Sequence, residues 1–88
     1  MPTLSMFFGI IIRMFMEEQT KHNLPHIHAE YGEFNAVFDL DGNKLEGELP
    51  KKKERLVEAW IEIHREDLLA DWKLVQSGDQ YFKIAPLQ

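Results

Sequence analysis

Ser5-Met6-Phe7-Phe8-Gly9-Ile10-Ile11-Ile12-Arg13-Met14-Phe15 is apolar throughout except for its first residue, Gly9 and Arg13. Three consecutive isoleucines and a glycine are poor helix material. The run therefore predicts a strand over 5–15, central in a sheet and covered on both faces. Alternation puts Phe8, Ile10, Ile12 and Met14 on one face and Phe7, Gly9, Ile11 and Arg13 on the other. The segment is far short of the roughly 20 residues that span a membrane, and no basic leader or small-residue cleavage site accompanies it. A core strand is favoured over a signal peptide.

The segments that follow divide cleanly. Residues 17–24 are polar and read as a loop. His26-Ile27-His28-Ala29-Glu30-Tyr31 is a second strand, and Gly32-Glu33 leaves room only for a tight turn. Residues 34–40 form a third strand, with Phe34, Ala36, Phe38 and Leu40 on one face. Asp41-Gly42-Asn43 is a hairpin turn, because Gly and Asn tolerate positive φ. Residues 45–49 form a short fourth strand. Pro50 opens a helix, as its fixed φ suits a helix start. Val57, Trp60, Ile61, His64, Leu68, Trp72 and Val75 recur at helical steps to about Ser77, making one apolar stripe. A break near 64–66 would divide it in two. Gly78 suits the residue just past the helix end. Residues 81–84 read as a last strand returning to the sheet edge.

The expected fold is α+β. It is a single small domain over 1–88, an antiparallel sheet of four to five strands with one long C-terminal helix, continuous or broken near 64–66, on one face. The helix would cover Phe34, Ala36, Phe38, Leu45 and Leu49. The opposite face would display Arg13, His26, His28, Glu30, Asn35, Asp39, Glu46 and Glu48. A one-residue slip would reverse these assignments.

Composition narrows the chemistry. With no cysteine, disulfides, thiolate nucleophiles and Cys-based metal sites are excluded. The absence of disulfides fits a cytoplasmic protein. The net charge of -5 disfavours non-specific nucleic-acid binding, which relies on Lys and Arg. Lys51, Lys52 and Lys53 are the one basic cluster. They occupy a first helical turn whose dipole is already positive. They would bind phosphate there, or be offset by Glu54 and Glu58 through helical pairs.

Three of the four histidines fall within seven positions, at His22, His26 and His28. Strand alternation places His26, His28 and Glu30 on one face and Ile27, Ala29 and Tyr31 on the other. Two chemistries fit. One is a metal site of His22, His26, His28 and Glu30, since imidazole and carboxylate suit a divalent ion such as Zn, Ni or Cu. The other is acid–base catalysis by His26 and His28, with Arg13 stabilising charge. The plainer reading is that these histidines bond neighbouring strands. His64, Trp60 and Trp72 are read as core or interface groups. Arg13 needs a partner, for which Glu30 and Asp39 are the choices. No Gly-rich phosphate loop, G-x-S-x-G elbow or H-E-x-x-H helix occurs.

Together these residues resemble a bacterial domain-of-unknown-function family, number 4160. The resemblance runs through 5–14, His22-Asn23, Pro25 to Tyr31, Leu45 to Pro50, Trp60, His64-Arg65-Glu66, Leu68-Leu69 and Trp72. Related sequences often read Asn-Pro-Pro-His where this chain has Asn23-Leu24-Pro25-His26. The resemblance implies a small bacterial protein from a two-gene pair like a toxin–antitoxin module, with a cognate small protein encoded nearby. It brings no catalytic residues with it.

Three functions follow as expectations. The first is an RNA-directed toxin, with His26 and His28 as acid and base, Arg13 stabilising the phosphorane, and Tyr31 or Lys51 positioning phosphate. The second is a protein binding a divalent metal through His22, His26, His28 and Glu30. The third is a non-enzymatic, antitoxin-like partner module that docks through the helix stripe or a strand edge. A homodimer is compatible with the tryptophan content, and no membrane contact is expected.

Overall fold

The computed structural model describes residues 3–16 and 24–88. It contains strands β1 (Thr3–Phe7), β2 (Ile10–Arg13), β3 (His26–Tyr31), β4 (Phe34–Asp39) and β5 (Lys44–Glu48), then helices α1 (Lys51–Ile63) and α2 (Arg65–Gln76). The five strands form one antiparallel sheet in chain order, β1-β2-β3-β4-β5. The α+β class is as expected. Two details differ.

First, the apolar run over 5–15 is a hairpin, not one strand. Phe8 and Gly9 turn the chain with φ of 49° and 80°. Positive φ at both central residues is what a type I′ two-residue hairpin turn requires. The turn brings Phe7 opposite Ile10. Phe7 therefore joins Ile10, Ile12 and Met14 in the core, while Phe8 projects from the turn. Residues 81–84 are not a strand, although the Ile84 N–H donates to the Leu4 carbonyl at 2.9 Å along the edge of β1.

Second, the helical segment is broken. His64 leaves helical geometry at φ -110°, ψ 21°, and α2 restarts with Glu66 and Asp67 in its first turn. Acidic side chains there suit the positive end of the helix dipole. Gly78, at φ 75°, ends α2 as expected, and the Asp79 N–H reaches back to the Leu74 carbonyl at 2.9 Å.

The core lies between the sheet and the helices. Ile27 and Ala29 of β3, Ala36 and Phe38 of β4, and Val57, Trp60 and Ile61 of α1 are all buried there. Leu68 and Val75 extend it from α2. Phe34 and Leu45 were expected under the helix and are not buried. Phe34 lies at the hairpin end, 44% exposed. Leu45 sits where the β4–β5 register shifts, because Val37 faces Glu46 while Phe38 faces Lys44. Such a bulge leaves one residue unpaired.

The Leu40–Asn43 turn is held by Asp39. Its Oδ1 accepts from the Asp41 and Asn43 N–H groups, each at 2.9 Å, and its Oδ2 from Asn43 Nδ2 at 3.1 Å. Burial raises the Asp39 pKa, but these hydrogen bonds outweigh it and hold the carboxyl below its ordinary value.

Candidate functional site on the open sheet face

Helices pack on one face of the sheet, and among the described residues the other face is only partly covered, which we call the open face. Register fixes what the open face carries. Arg13 faces His28, His28 faces Val37 and Val37 faces Glu46, making one row across four strands. The next row is Met6, Ile11, Glu30, Asn35 and Glu48. Directly opposed residues in antiparallel strands share a face. The alternation read from His26 to Glu30 therefore places His28 and Glu30 as expected, and Arg13 joins them.

Arg13 Nε meets Glu30 Oε2 at 3.1 Å, off the axis of a well-formed hydrogen bond. Both side chains are partly exposed. Of the two expected partners for the guanidinium, Glu30 makes this ion pair, while Asp39 holds its turn. Phe15 stands edge-on to the His28 ring, with centroids 4.7 Å apart. Phe15, His28, Glu30, Asn35, Val37 and Glu46 line a cavity of 340 Å³ on this face.

His26 has a different setting. It is 1% exposed. Its ring lies between Trp72 and His28, at centroid distances of 5.1 and 5.4 Å. Its Nδ1 lies 2.7 Å from the Leu24 carbonyl. A carbonyl only accepts, so Nδ1 carries the hydrogen. His26 thus packs against the His28 ring as a buried neighbour and does not face solvent beside it.

Tyr31 is not part of the cluster. It pairs with Phe34 at the far end of β3, on the face that α1 covers. Lys53 Nζ lies 4.8 Å above its ring centroid and donates to the Phe8 carbonyl at 3.1 Å. The face containing Tyr31 was legible from alternation alone, which already set it opposite His28.

Of the four expected metal ligands, His22 lies outside the described residues. Among the described residues, no group of three or more His, Asp or Glu side chains is placed to hold a metal ion. Also among them, no helix is long and apolar enough to cross a membrane.

Sequence reasoning missed Phe15 as a wall of the site, because it read that residue only as the end of a strand. A family described as "Domain of unknown function (DUF4160)" matches residues 9–73. The chain belongs to this family. The match takes in β2 through most of α2, and with them every described residue of the open-face cluster. No curated protein and no solved structure matches the chain.

Proposed function

We propose that this DUF4160 protein is a toxin–antitoxin component that cleaves RNA without a metal, using Arg13, His28 and Glu30. One observation carries the reading: an imidazole, a carboxylate and a guanidinium stand side by side on the sheet face opposite the helix-packed core, with Arg13 and Glu30 partly exposed. The two-histidine version gives way to this one, because a side chain as buried as His26 does not reach a substrate.

The chemistry is acyl-free phosphoryl transfer within the RNA backbone. The Glu30 carboxylate takes the proton of a 2′-hydroxyl. The 2′-oxygen attacks the adjacent phosphorus, forming a 2′,3′-cyclic phosphate. The bond from phosphorus to the 5′-oxygen breaks, and protonated His28 gives that oxygen its proton. Arg13 stabilises the charge that develops on the phosphoryl oxygens. His26 holds the His28 ring in place.

The test is induced expression in a bacterial host, with RNA integrity followed beside growth. Wild type should arrest growth and cleave RNA. His28→Ala and Glu30→Gln, checked for folding by circular dichroism, should each lose about 100-fold or more in cleavage rate. Cleavage that survives both changes would end the reading.

A second reading is a binding module without catalysis. Glu46 and Glu48 on the same open face favour it, since carboxylates repel RNA and attract a basic protein. A wild type that leaves growth unaffected and binds the purified product of the adjacent gene would establish it instead.

A further inference from the structure

The turn end of the sheet gathers features that the open-face cluster does not use. The Phe8-Gly9 turn packs on Tyr31: a Cβ added at Gly9 would come within 3.1 Å of that ring. Tyr31 is paired with Phe34. Lys53 ties the group to α1 through the Phe8 carbonyl and the Tyr31 ring. Phe8 is 54% exposed and Phe34 44%, so two phenyl rings stand in solvent at one end of the fold. Beside them, Lys51 and Lys52 are exposed in the first turn of α1, which has no side-chain cap. Glu54 is drawn inward. It accepts from the Leu49 N–H at 3.2 Å and from Lys44 Nζ at 3.0 Å, and of the two outer lysines only Lys51 adds a charge interaction with it.

Phe8 breaks a local rule. A two-residue hairpin turn with positive φ at both positions favours Asn-Gly, and an aromatic residue in left-handed geometry is disfavoured. Asparagine would hold this turn more easily. The phenyl ring is what Phe8 adds.

Exposed rings next to ammonium groups match one kind of ligand: a flexible polyanion that carries flat faces. Bases stack on aromatic side chains whatever their sequence, and lysines track the backbone. We propose that this end of the sheet grips single-stranded RNA, with Phe8 and Phe34 stacking bases and Lys51 and Lys52 meeting phosphates. The proposal rests on the RNA-directed reading above and extends it to how the substrate is held. His28 lies three strand residues from Tyr31, about 10 Å along β3. That span is on the order of three stacked nucleotides. Phe34 shares the helix-covered face with Tyr31 while His28 lies on the other, so a strand gripped at the turn end passes round that end to reach the cluster.

The test uses the full chain carrying His28→Ala and a fluorescent, mixed-sequence single strand of 2′-O-methyl RNA, which lacks the attacking hydroxyl. Binding is read by anisotropy. Phe8→Asn should fold with equal or higher thermal stability yet bind about tenfold more weakly, as should Phe34→Ala. Lys51→Glu with Lys52→Glu should weaken binding further. The plot of log affinity against log salt should have a slope of about -1.4, set by two phosphate contacts on a single strand. A stable Phe8→Asn protein that binds as tightly as its parent would overturn the proposal. So would a parent that binds no single strand, or that binds only a protein partner. The two readings fail separately. A wild type that binds but never cleaves keeps the grip and loses the catalyst. One that cleaves equally well without Phe8 and Lys51 does the reverse.

Discussion

Gly47 shows how much one backbone position decides. It sits opposite Ala36, with φ at 79°, next to the register shift of β4 and β5. A Cβ built there would collide with the Asn35 carbonyl oxygen and lie 2.9 Å from Ala36 Cα. Both obstacles are backbone, so no side chain can swing away. Gly47→Ala should cost about 1–3 kcal/mol from the left-handed geometry, with the collision added to it. Urea unfolding measures this, and a change below 0.5 kcal/mol on the order of surface substitutions would mean β5 re-registers freely. Because Gly47 also borders the 340 Å³ cavity, such re-registration would disturb the site as well. At the same level of detail, alternation from His26 to Glu30 gave the faces of the site correctly. It did not give burial. His26 is enclosed by Trp72, a residue 46 positions later that no local pattern connects to it.

Elements were legible wherever their punctuation is polar. Asp41-Gly42-Asn43 and Gly78 announce a turn and a helix end, and both are present. The β1–β2 turn was hidden because its first residue is phenylalanine, which continues the apolar run on either side. The cost was more than a miscounted strand, since the slip moved Phe7 to the wrong face. The break at His64 was legible only as an option, because Val57, Trp60, Ile61, Leu68 and Val75 keep to one stripe across it. The start of α1 is also unusual. Pro50 supplies no side-chain cap, and Glu54 reaches back to the Leu49 N–H instead. Burial raises the Glu54 pKa, but the Leu49 N–H and Lys44 outweigh it and hold the carboxyl below its ordinary value. Glu54→Ala should cost about 1.5–3 kcal/mol, the range for a hydrogen bond to a charged group. The sign with pH follows from the lowered pKa. The contribution is present above the unfolded value of about 4.3 and is lost as pH falls through the folded one. Thermal melts of both proteins at pH 7 and pH 3 should therefore converge at the lower pH.

Across the molecule, residues 79–88 close the core from outside the regular elements. The Phe82 N–H donates to Asp71 Oδ1 at 2.9 Å, Ile84 bonds Leu4, and Trp60 Nε1 donates to the Ala85 carbonyl at 2.8 Å. Asp71 is 2% exposed, and its Oδ2 has no hydrogen-bond partner. Burial pushes this carboxyl above its ordinary value; the Phe82 N–H opposes the shift and the nearby Asp67 charge adds to it. A raised acid has the opposite pH sign to Glu54. Its contribution is full below the unfolded value of about 3.9 and declines as pH rises through the folded one. Asp71→Asn keeps the acceptor for Phe82 and removes the charge. It should unfold at higher urea than wild type at pH 7, with the gap closing near pH 4. An Asn variant less stable at pH 7 would mean the ionised carboxylate is held by more than the Phe82 N–H.

The strand order β1-β2-β3-β4-β5 has a consequence for birth on the ribosome. Every pairing joins neighbours in the chain, so each strand can zip to the last as it emerges. The helices that cover the sheet come only afterwards, ending at Gln76. At about 5–20 residues per second, the 28 residues from Glu48 to Gln76 take on the order of a few seconds to synthesise. For that interval a finished sheet shows its greasy side to the cell. Exposed apolar surface of this kind is prone to aggregate, so synthesis of the chain should be sensitive to the loss of chaperones that hold emerging polypeptides.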